Sequence, residues 1–387
     1  MLAVTETHPV QYRAPVYRYL QQQLGIPVTV FYGSDFSVVG YRDREFGAEF
    51  AWDVDLTSGY EAVFLTTAAQ GGGQSYETVR APGLRSRLQA LRPQAVLLTG
   101  YDTVFHRQAF WASRGLTRFF RAETTDVALT RSPLKSWLRD GALRFLYSQC
   151  TKLLYIGENS YRHYRRLGCP ASKLGRSPYA VHGDSFAGSE ADRERLRPAI
   201  RREWGVNEGD RVLLFAGKLQ PRKRPDLILQ AAKLLPAAQR DRLGVVFLGS
   251  GDLTASLREL AAADPPIRTV FAGFQNQQHL SRFYHGADAL VLPSQVQETW
   301  GLVVNEALVH GVPCLVSEQV GCAPDLIVPG VTGLTFPANQ AGALAQAIAQ
   351  IWPLLDAPAT RVACRAQVAN YSIATAAIGI AQALADL

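Results

Sequence analysis

The sequence predicts an α/β protein of two Rossmann-like, doubly wound domains in tandem, and three observations predict it. The chain has 387 residues, enough for two domains of ordinary size. It opens as strand, helix, strand: LAVTE, then THPVQYRAPVYRYLQQQLG, then PVTVFYG, the start of a doubly wound domain. The alternation restarts at Asp210, where the apolar run RVLLFAGKL leads into PRKRPDLILQAAKLL. A composition of 47% hydrophobic and 19% charged residues is that of a globular protein.

The formal net charge of +7 suits anionic partners, whether nucleotides, nucleic acid or a membrane surface, and does not choose among them. The N-terminus MLAVTETHPVQY lacks a long apolar core, so no secretory signal is expected. No run approaches the roughly 18 apolar residues of a spanning helix. Five cysteines (Cys150, Cys169, Cys314, Cys322, Cys364) are odd in number and lack metal spacing. They are expected as reduced thiols in a cytoplasm.

In the first domain, His8, Gln11 and Tyr12 fall on the first strand-to-helix turn, where open α/β sheets place ligands. His8 and Gln11 suit polar contacts with a ligand there; a polar helix cap with Tyr12 on the sheet is the alternative. Residues 35–85 are poorly patterned. Gln70-Gly71-Gly72-Gly73-Gln74 lacks the Lys-Ser/Thr of a phosphate loop and reads as a flexible surface loop. Residues 84–91 read as helix. PQAVLLTGY is then a buried strand whose end puts Tyr101 on the ligand side.

TRFFRAETTD supplies the next strand and its exit loop, with Arg121, Glu123 and Asp126 expected toward a cleft. A structural salt bridge is the other reading for Arg121 and Glu123. Residues 131–152 are amphipathic and basic, with Leu134, Trp137, Leu138, Leu143, Phe145 and Leu146 among Arg131, Lys135, Arg139 and Arg144. The segment fits a peripheral membrane helix or an ordinary helix packed on the sheet, and the ordinary helix is expected. LLYIG is a further strand, and ENSYRHYRRLGCP a helix stopped by Gly168 and Pro170. Residues 190–206 form a charged helix or linker.

The second domain's first strand ends at Gly217. Pro221 and Pro225 stand near the start of the next helix. Arg222 and Arg224 are expected in solvent. VVFLGSGDL is a strand and turn without the third glycine of a dinucleotide fingerprint. HLSRFYHGADALVLPS gives a helix and a strand ending at Ser294.

The stretch 292–317 then places Glu298 and Glu306 with seven residues between them, around Gly301-Leu302-Val303-Val304. Residues 305–310 read as helix, closed by Gly311. A diphosphate can approach the side-chain-free Gly301. The amides of Gly301, Leu302 and Val303 lie at a helix N-terminus, which favours negative charge. Glu306 lies further along the helix, at about 1.5 Å per residue, within reach of a ribose. Glu298 lies on the loop before it, where a sugar fits.

Residues 210–340 resemble the donor-binding domain of retaining glycosyltransferases of family 4, which have the GT-B fold. The segments that carry the resemblance are LLFAGKLQPRKRPDLILQA, VVFLGSGDL, VFAGFQNQQHLSRFYHGADALVLPS, QETWGLVVNEALVHGVPCLVS and GVTGLTF, in that order. The resemblance implies two domains facing across a cleft: 1–186 for the acceptor, a linker over 187–209, and 210–370 for the donor. The final helix, 371–387, crosses back to the first domain.

It further implies a nucleoside-diphosphate sugar as co-substrate, no other cofactor and no metal. The acceptor is a glycan, a lipid-linked or a small molecule, in polysaccharide or glycoconjugate biosynthesis. Lys218 and Lys223 would stabilise the leaving diphosphate and Glu298 would orient the sugar. Gly217, Phe274, Gln275, Ser294, Gly301, Leu302, Val303 and Glu306 would hold the donor, with Phe274 and Gln275 at the base and Glu306 at the ribose.

Three departures stand out. Lys218 replaces the usual arginine, which costs a bidentate fork but keeps the charge. The first loop lacks a glycine pair. No histidine lies between His106 and His163, where many relatives contact the donor sugar, which leaves Arg121 or Glu123 for a related role. A cytoplasmic site is expected, with peripheral contact at the inner membrane face left open. Aromatic-basic repeats for nucleic acid are missing. A nucleotide-sugar-binding relative without transferase activity and a sugar-nucleotide epimerase are the rival readings. The epimerase needs further acid/base groups in the first domain.

Overall fold

The computed structural model describes every residue except 44–47, 51–53, 128–131, 208 and 264. Arg131, at the head of the basic amphipathic segment, therefore lies outside the described residues.

The first domain contains β1 (Leu2–Glu6), β2 (Val28–Tyr32), β3 (Tyr41–Asp43), β4 (Ala48–Phe50), β5 (Glu61–Phe64), β6 (Ala95–Leu98), β7 (Arg118–Phe120), β8 (Lys152–Tyr155) and β9 (Leu174–Arg176). β3 and β4 pair antiparallel by themselves. The other seven form one parallel sheet in the order β5-β2-β1-β6-β7-β8-β9. The second domain contains β10 (Arg211–Ala216), β11 (Leu243–Leu248), β12 (Arg268–Gly273), β13 (Ala289–Leu292), β14 (Cys314–Ser317) and β15 (Gly333–Phe336). Its parallel sheet runs β12-β11-β10-β13-β14-β15.

Each sheet reverses its winding beside its first strand, between β1 and β6 and between β10 and β13. A crevice opens there at the strand C-termini, so topology alone aims both domains' ligand ends. β1, β11 and β13 are buried along their whole length because helices cover both faces. The five cysteines are buried and free. Among the described residues no helix is long and apolar enough to cross a membrane.

The helix Glu190–Glu203 opens with a capping box between Ser189 and Asp192. It is fastened to the second domain: Arg197 and Arg201 pair with the buried Asp288 at 2.5 and 3.0 Å. The Gly71-Gly72-Gly73 loop lies at the surface as expected, with Gly71 exposed and open, but Gly72 and Gly73 are packed. A Cβ on Gly73 would lie 2.5 Å from the Val79 amide.

The last helix, Ile373–Ala385, crosses back onto the first domain. Ala376, Ala377 and Ile380 enter the core beside Tyr17 and Leu20, and Ser177 Oγ donates to the Ala376 carbonyl at 2.8 Å. A Cβ on Gly379 would lie 1.8 Å from the Arg176 carbonyl, so helix and β9 touch backbone to backbone. Gly379→Ala is expected to cost about 1–3 kcal/mol by forcing this contact apart. An unchanged urea midpoint would contradict the close docking.

Candidate active site

The second domain's ligand end is built on glycine turns. Gly217 follows β10 and Gly249 follows β11, and a Cβ on Gly249 would lie 2.1 Å from the Gly217 carbonyl. Two strand exits therefore stack with no room for side chains. Beyond Gly217, Lys218 is half-buried. The chain then makes a single 3-10 turn, Pro221–Lys223, before the helix Asp226–Lys233. That turn swings Lys223 back over Gly217, where its Nζ would lie 3.7 Å from an added Cβ.

Lys223 Nζ donates to Glu298 Oε2 at 2.8 Å, and both side chains are only 12% exposed. Ser294 Oγ donates to the same oxygen at 2.8 Å. Burial opposes ionisation of Glu298, but Lys223 and Ser294 outweigh it and hold the carboxyl below its usual value. Arg222 and Arg224, expected in solvent, are engaged. Arg222 donates to the Gln297 carbonyl at 3.3 Å, while its own carbonyl accepts from the Gln295 amide at 2.9 Å. Arg224 pairs with Asp226 at 2.9 Å and reaches Asn339 Oδ1 at 2.5 Å. The turn that carries Lys223 thus also fixes the loop that carries Glu298.

Gly301 has φ +97, a left-handed conformation that favours glycine. It caps the helix Leu302–Val309, so the amides of Gly301, Leu302 and Val303 form the helix N-terminus. Glu306 lies further along, where its Oε2 accepts from Tyr284 OH at 2.5 Å. Burial pushes its pKa up to about 7, against the lowering effect of that bond. The Tyr284 ring is backed by His310, stacked at 4.9 Å. Phe274 and Gln275 follow β12, and Gln275 Nε2 donates to the Ala272 carbonyl at 3.0 Å.

The first domain meets this loop through Glu123. Its Oε2 accepts from Thr299 Oγ1 at 2.6 Å, next to Glu298 in the chain. Its Oε1 accepts from Tyr179 OH at 2.7 Å and Tyr12 OH at 3.4 Å. Arg13 donates to Tyr179 OH at 3.0 Å and to Glu6 at 2.9 Å. Glu6 also accepts from Tyr17 and from Thr99. A continuous polar chain therefore runs from the end of β1 to the loop that carries Glu298 and Thr299. Glu6, Arg13 and Tyr179 escaped the sequence reading. The available signal was a carboxylate closing an otherwise apolar strand.

Arg121 and Asp126 do not face the cleft. Arg121 is buried and donates to the carbonyls of Ser177 and Pro178 at 3.0 and 2.8 Å, because a buried guanidinium must find acceptors. Asp126 turns to the helix Glu158–Arg166 and pairs with His163 at 2.9 Å and Arg166 at 2.7 Å. His8 bonds Thr7 at 2.9 Å and packs 4.6 Å from Phe36; burial, aided by Arg13, pushes its pKa down to about 3. Gln11 Oε1 is buried without a hydrogen-bond partner among the described residues. Tyr101 OH accepts from Arg139 at 3.4 Å. Beside it, Asp102 accepts from Tyr76 at 2.8 Å and pairs with His106 at 3.0 Å, a cluster the sequence reading passed over.

The domains touch directly at a second place. The Asp325 carboxylate accepts from the Glu158 amide at 3.0 Å, and Asn159 donates to the Gly321 carbonyl at 2.9 Å. A cavity of about 730 Å³ lies elsewhere, against Arg18, His182, Phe186, Arg365 and Tyr371, and is not lined by Lys223, Glu298 or Glu306. Among the described residues no group of three or more His, Cys, Asp or Glu side chains is placed to hold a metal ion.

Residues 197–365 match the family model of glycosyl transferases group 1. Over its whole length the chain superposes on a glycosyltransferase from Rickettsia africae with a TM-score of 0.72 at 13% identity, covering 100% of this chain and 98% of that one. It superposes equally fully on Anabaena HepE in complex with UDP and glucose, with a TM-score of 0.70 at 15% identity and coverage of 100% and 99%.

The fold is GT-B.

Over part of the chain the likeness extends to sequence. The chain is 34% identical over 160 residues to the D-inositol 3-phosphate glycosyltransferase of Mycobacteroides abscessus, covering 40% of this chain and 35% of the relative. The Mycobacterium tuberculosis enzyme of the same name is 33% identical over 174 residues, covering 44% and 35%. The chain thus spans about a third of the length of these curated relatives; the family-model match, 197–365, holds Gly217, Lys223, Glu298 and Glu306.

Proposed function

We propose that this GT-B protein is a retaining glycosyltransferase that moves a sugar from a nucleoside-diphosphate sugar to a glycan, lipid-linked or small-molecule acceptor. The observation that carries the reading is the Lys223–Glu298–Ser294 cluster. It is set between the Gly217 turn and the Gly301 helix N-terminus, with Glu306 further along the same helix. A diphosphate laid across Gly217 and Gly301 meets backbone amides and the cations Lys218 and Lys223. As the sugar–phosphate bond breaks, negative charge grows on the diphosphate, and these groups stabilise it where it forms. Glu306 accepts from the ribose hydroxyls, and Phe274 and Gln275 flank the base.

Glu298 orients the sugar and is not the nucleophile, since its Oε2 is shared between Lys223 and Ser294. The acceptor enters from the first domain past His8, Gln11, Tyr101 and Glu123. Glu123 closes the sugar pocket through Thr299. No resident metal takes part. We place the activity in the cytoplasm, in glycan or glycoconjugate assembly. The glycosyltransferases among its relatives and the UDP and glucose held by HepE support the donor class.

The test is incubation with UDP-, GDP- and ADP-sugars and sugar or glycolipid acceptors, with the product read by proton NMR. The expected product keeps the donor's anomeric configuration. An inverted product overturns the retaining mechanism. Nucleotide binding without transfer to any acceptor would favour a binding-only relative.

A further inference from the structure

We propose that the outer face of the helix Pro133–Ser148 docks on an anionic bilayer and so presents a lipid-borne acceptor to the first domain. The acceptor half of this statement rests on the glycosyltransferase reading; the docking half does not.

This helix carries two apolar stripes, and folding uses only one. Leu143 and Tyr147 are buried against the sheet. Leu134, Trp137, Leu138 and Phe145 are 67%, 69%, 57% and 52% exposed. With Gly141 they fall at i, i+3, i+4, i+7 and i+11, a single outward line. The sequence expectation of an ordinary packed helix accounts for the inner stripe alone. Trp111, 55% exposed, extends the outer one: Phe110 lies 5.2 Å from Trp111 and 6.2 Å from Phe145. Four large apolar side chains left in solvent along one helix face mark an interaction surface.

Charge selects the occupant. Lys135 and Arg144 are exposed on this helix, Arg107 on the neighbouring helix Val104–Ala112, and Arg114 just beyond that helix's end. The only carboxylate of the helix Pro133–Ser148, Asp140, turns inward to Arg166 at 2.5 and 3.0 Å. A second copy of this face would set cations against cations. Anionic headgroups neutralise them, while tryptophan and leucine enter the boundary between headgroups and chains. Position fits as well. Arg139, on the inner side of the same helix, donates to Tyr101 OH at the end of β6, so the stripe starts beside the ligand end of the sheet. A lipid-anchored acceptor would need to travel only along the membrane to reach it.

The test is co-sedimentation of the full chain with vesicles of phosphatidylcholine alone and of equimolar phosphatidylcholine and phosphatidylglycerol. The pair Trp137→Ser/Leu138→Ser removes apolar contact, and the pair Lys135→Glu/Arg144→Glu reverses charge. Binding is expected to the mixed vesicles and to weaken with salt. Each double variant is expected to bind about tenfold more weakly or worse. These side chains are exposed, so both variants should keep the wild-type urea midpoint and nucleotide response, which separates lost docking from lost folding. No preference for anionic vesicles, or full binding by both variants, overturns the proposal. So does a concentration-dependent dimer that Trp137→Ser/Leu138→Ser abolishes, since a second copy would then cover the face. Vesicle binding in a protein that no nucleotide stabilises would leave docking standing and sink the glycosyltransferase reading instead.

Discussion

Lys223→Ala lowers the rate of sugar transfer by about 10²–10³-fold, the usual cost of removing one preorganised group that stabilises transition-state charge. The same change leaves Glu298 buried without its cation, which destabilises the fold by roughly 3 kcal/mol. The pH dependence separates the two effects. In the wild type the Glu298 carboxyl is held below its usual value, so it contributes stability above the ordinary carboxylate range, lost as pH falls through the folded value. Without Lys223, burial acts largely unopposed and raises the carboxyl. The folded state then penalises the charged form, and the variant's deficit is largest near neutral pH. It shrinks as pH falls and Glu298 protonates. Urea unfolding at neutral pH and at about pH 5 reads this directly. A deficit that does not change with pH would mean that the ion pair is not what Lys223 contributes.

Glu306→Ala weakens nucleotide binding by about 10²-fold, the worth of one or two hydrogen bonds to a charged group. Burial pushes the ligand-free carboxyl up to about 7, against the hydrogen bond from Tyr284 that stabilises its charge. A carboxyl raised in the folded state gives stability that is full below its unfolded value and lost as pH rises towards about 7. Ribose hydroxyls that donate to Glu306 favour its charged form. Binding therefore releases a proton just below neutrality, and affinity rises with pH until about 7, then levels. Calorimetry in two buffers of different ionisation enthalpy measures the proton. Glu306→Gln should abolish the release; a release that survives in Glu306→Gln would assign the proton to another group.

The central strands of both sheets were legible because they are buried on both faces and read as plain apolar runs closed by glycine, as in RVLLFAG and VVFLG, whereas the edge strands β5 and β9, only partly buried, gave no such run. Gly217 and Gly301 were legible because backbone approach and left-handed φ leave few other choices. Orientation was not. Arg121 and Asp126 stand on the same exit loop as Glu123, and nothing local says that Ser177, His163 and Thr299, far along the chain, will claim one each. The Glu6–Arg13–Tyr179 chain is hidden for the same reason: Tyr179 is separated from Glu6 and Arg13 by most of the first domain. In the helix Pro133–Ser148, periodicity announces an amphipathic helix but cannot say which of two apolar stripes meets the core.

The central claim is that the second domain holds a nucleoside diphosphate between Gly217, Gly301 and Glu306. Thermal unfolding of the wild type and of Glu306→Ala, with UDP, GDP, ADP and their sugars, tests it most directly. The predicted result is stabilisation by one base above the others, about 2.7 kcal/mol at a hundred times the dissociation constant, and largely lost in Glu306→Ala. No stabilisation by any nucleotide in a folded sample, or equal stabilisation of wild type and variant, would contradict it.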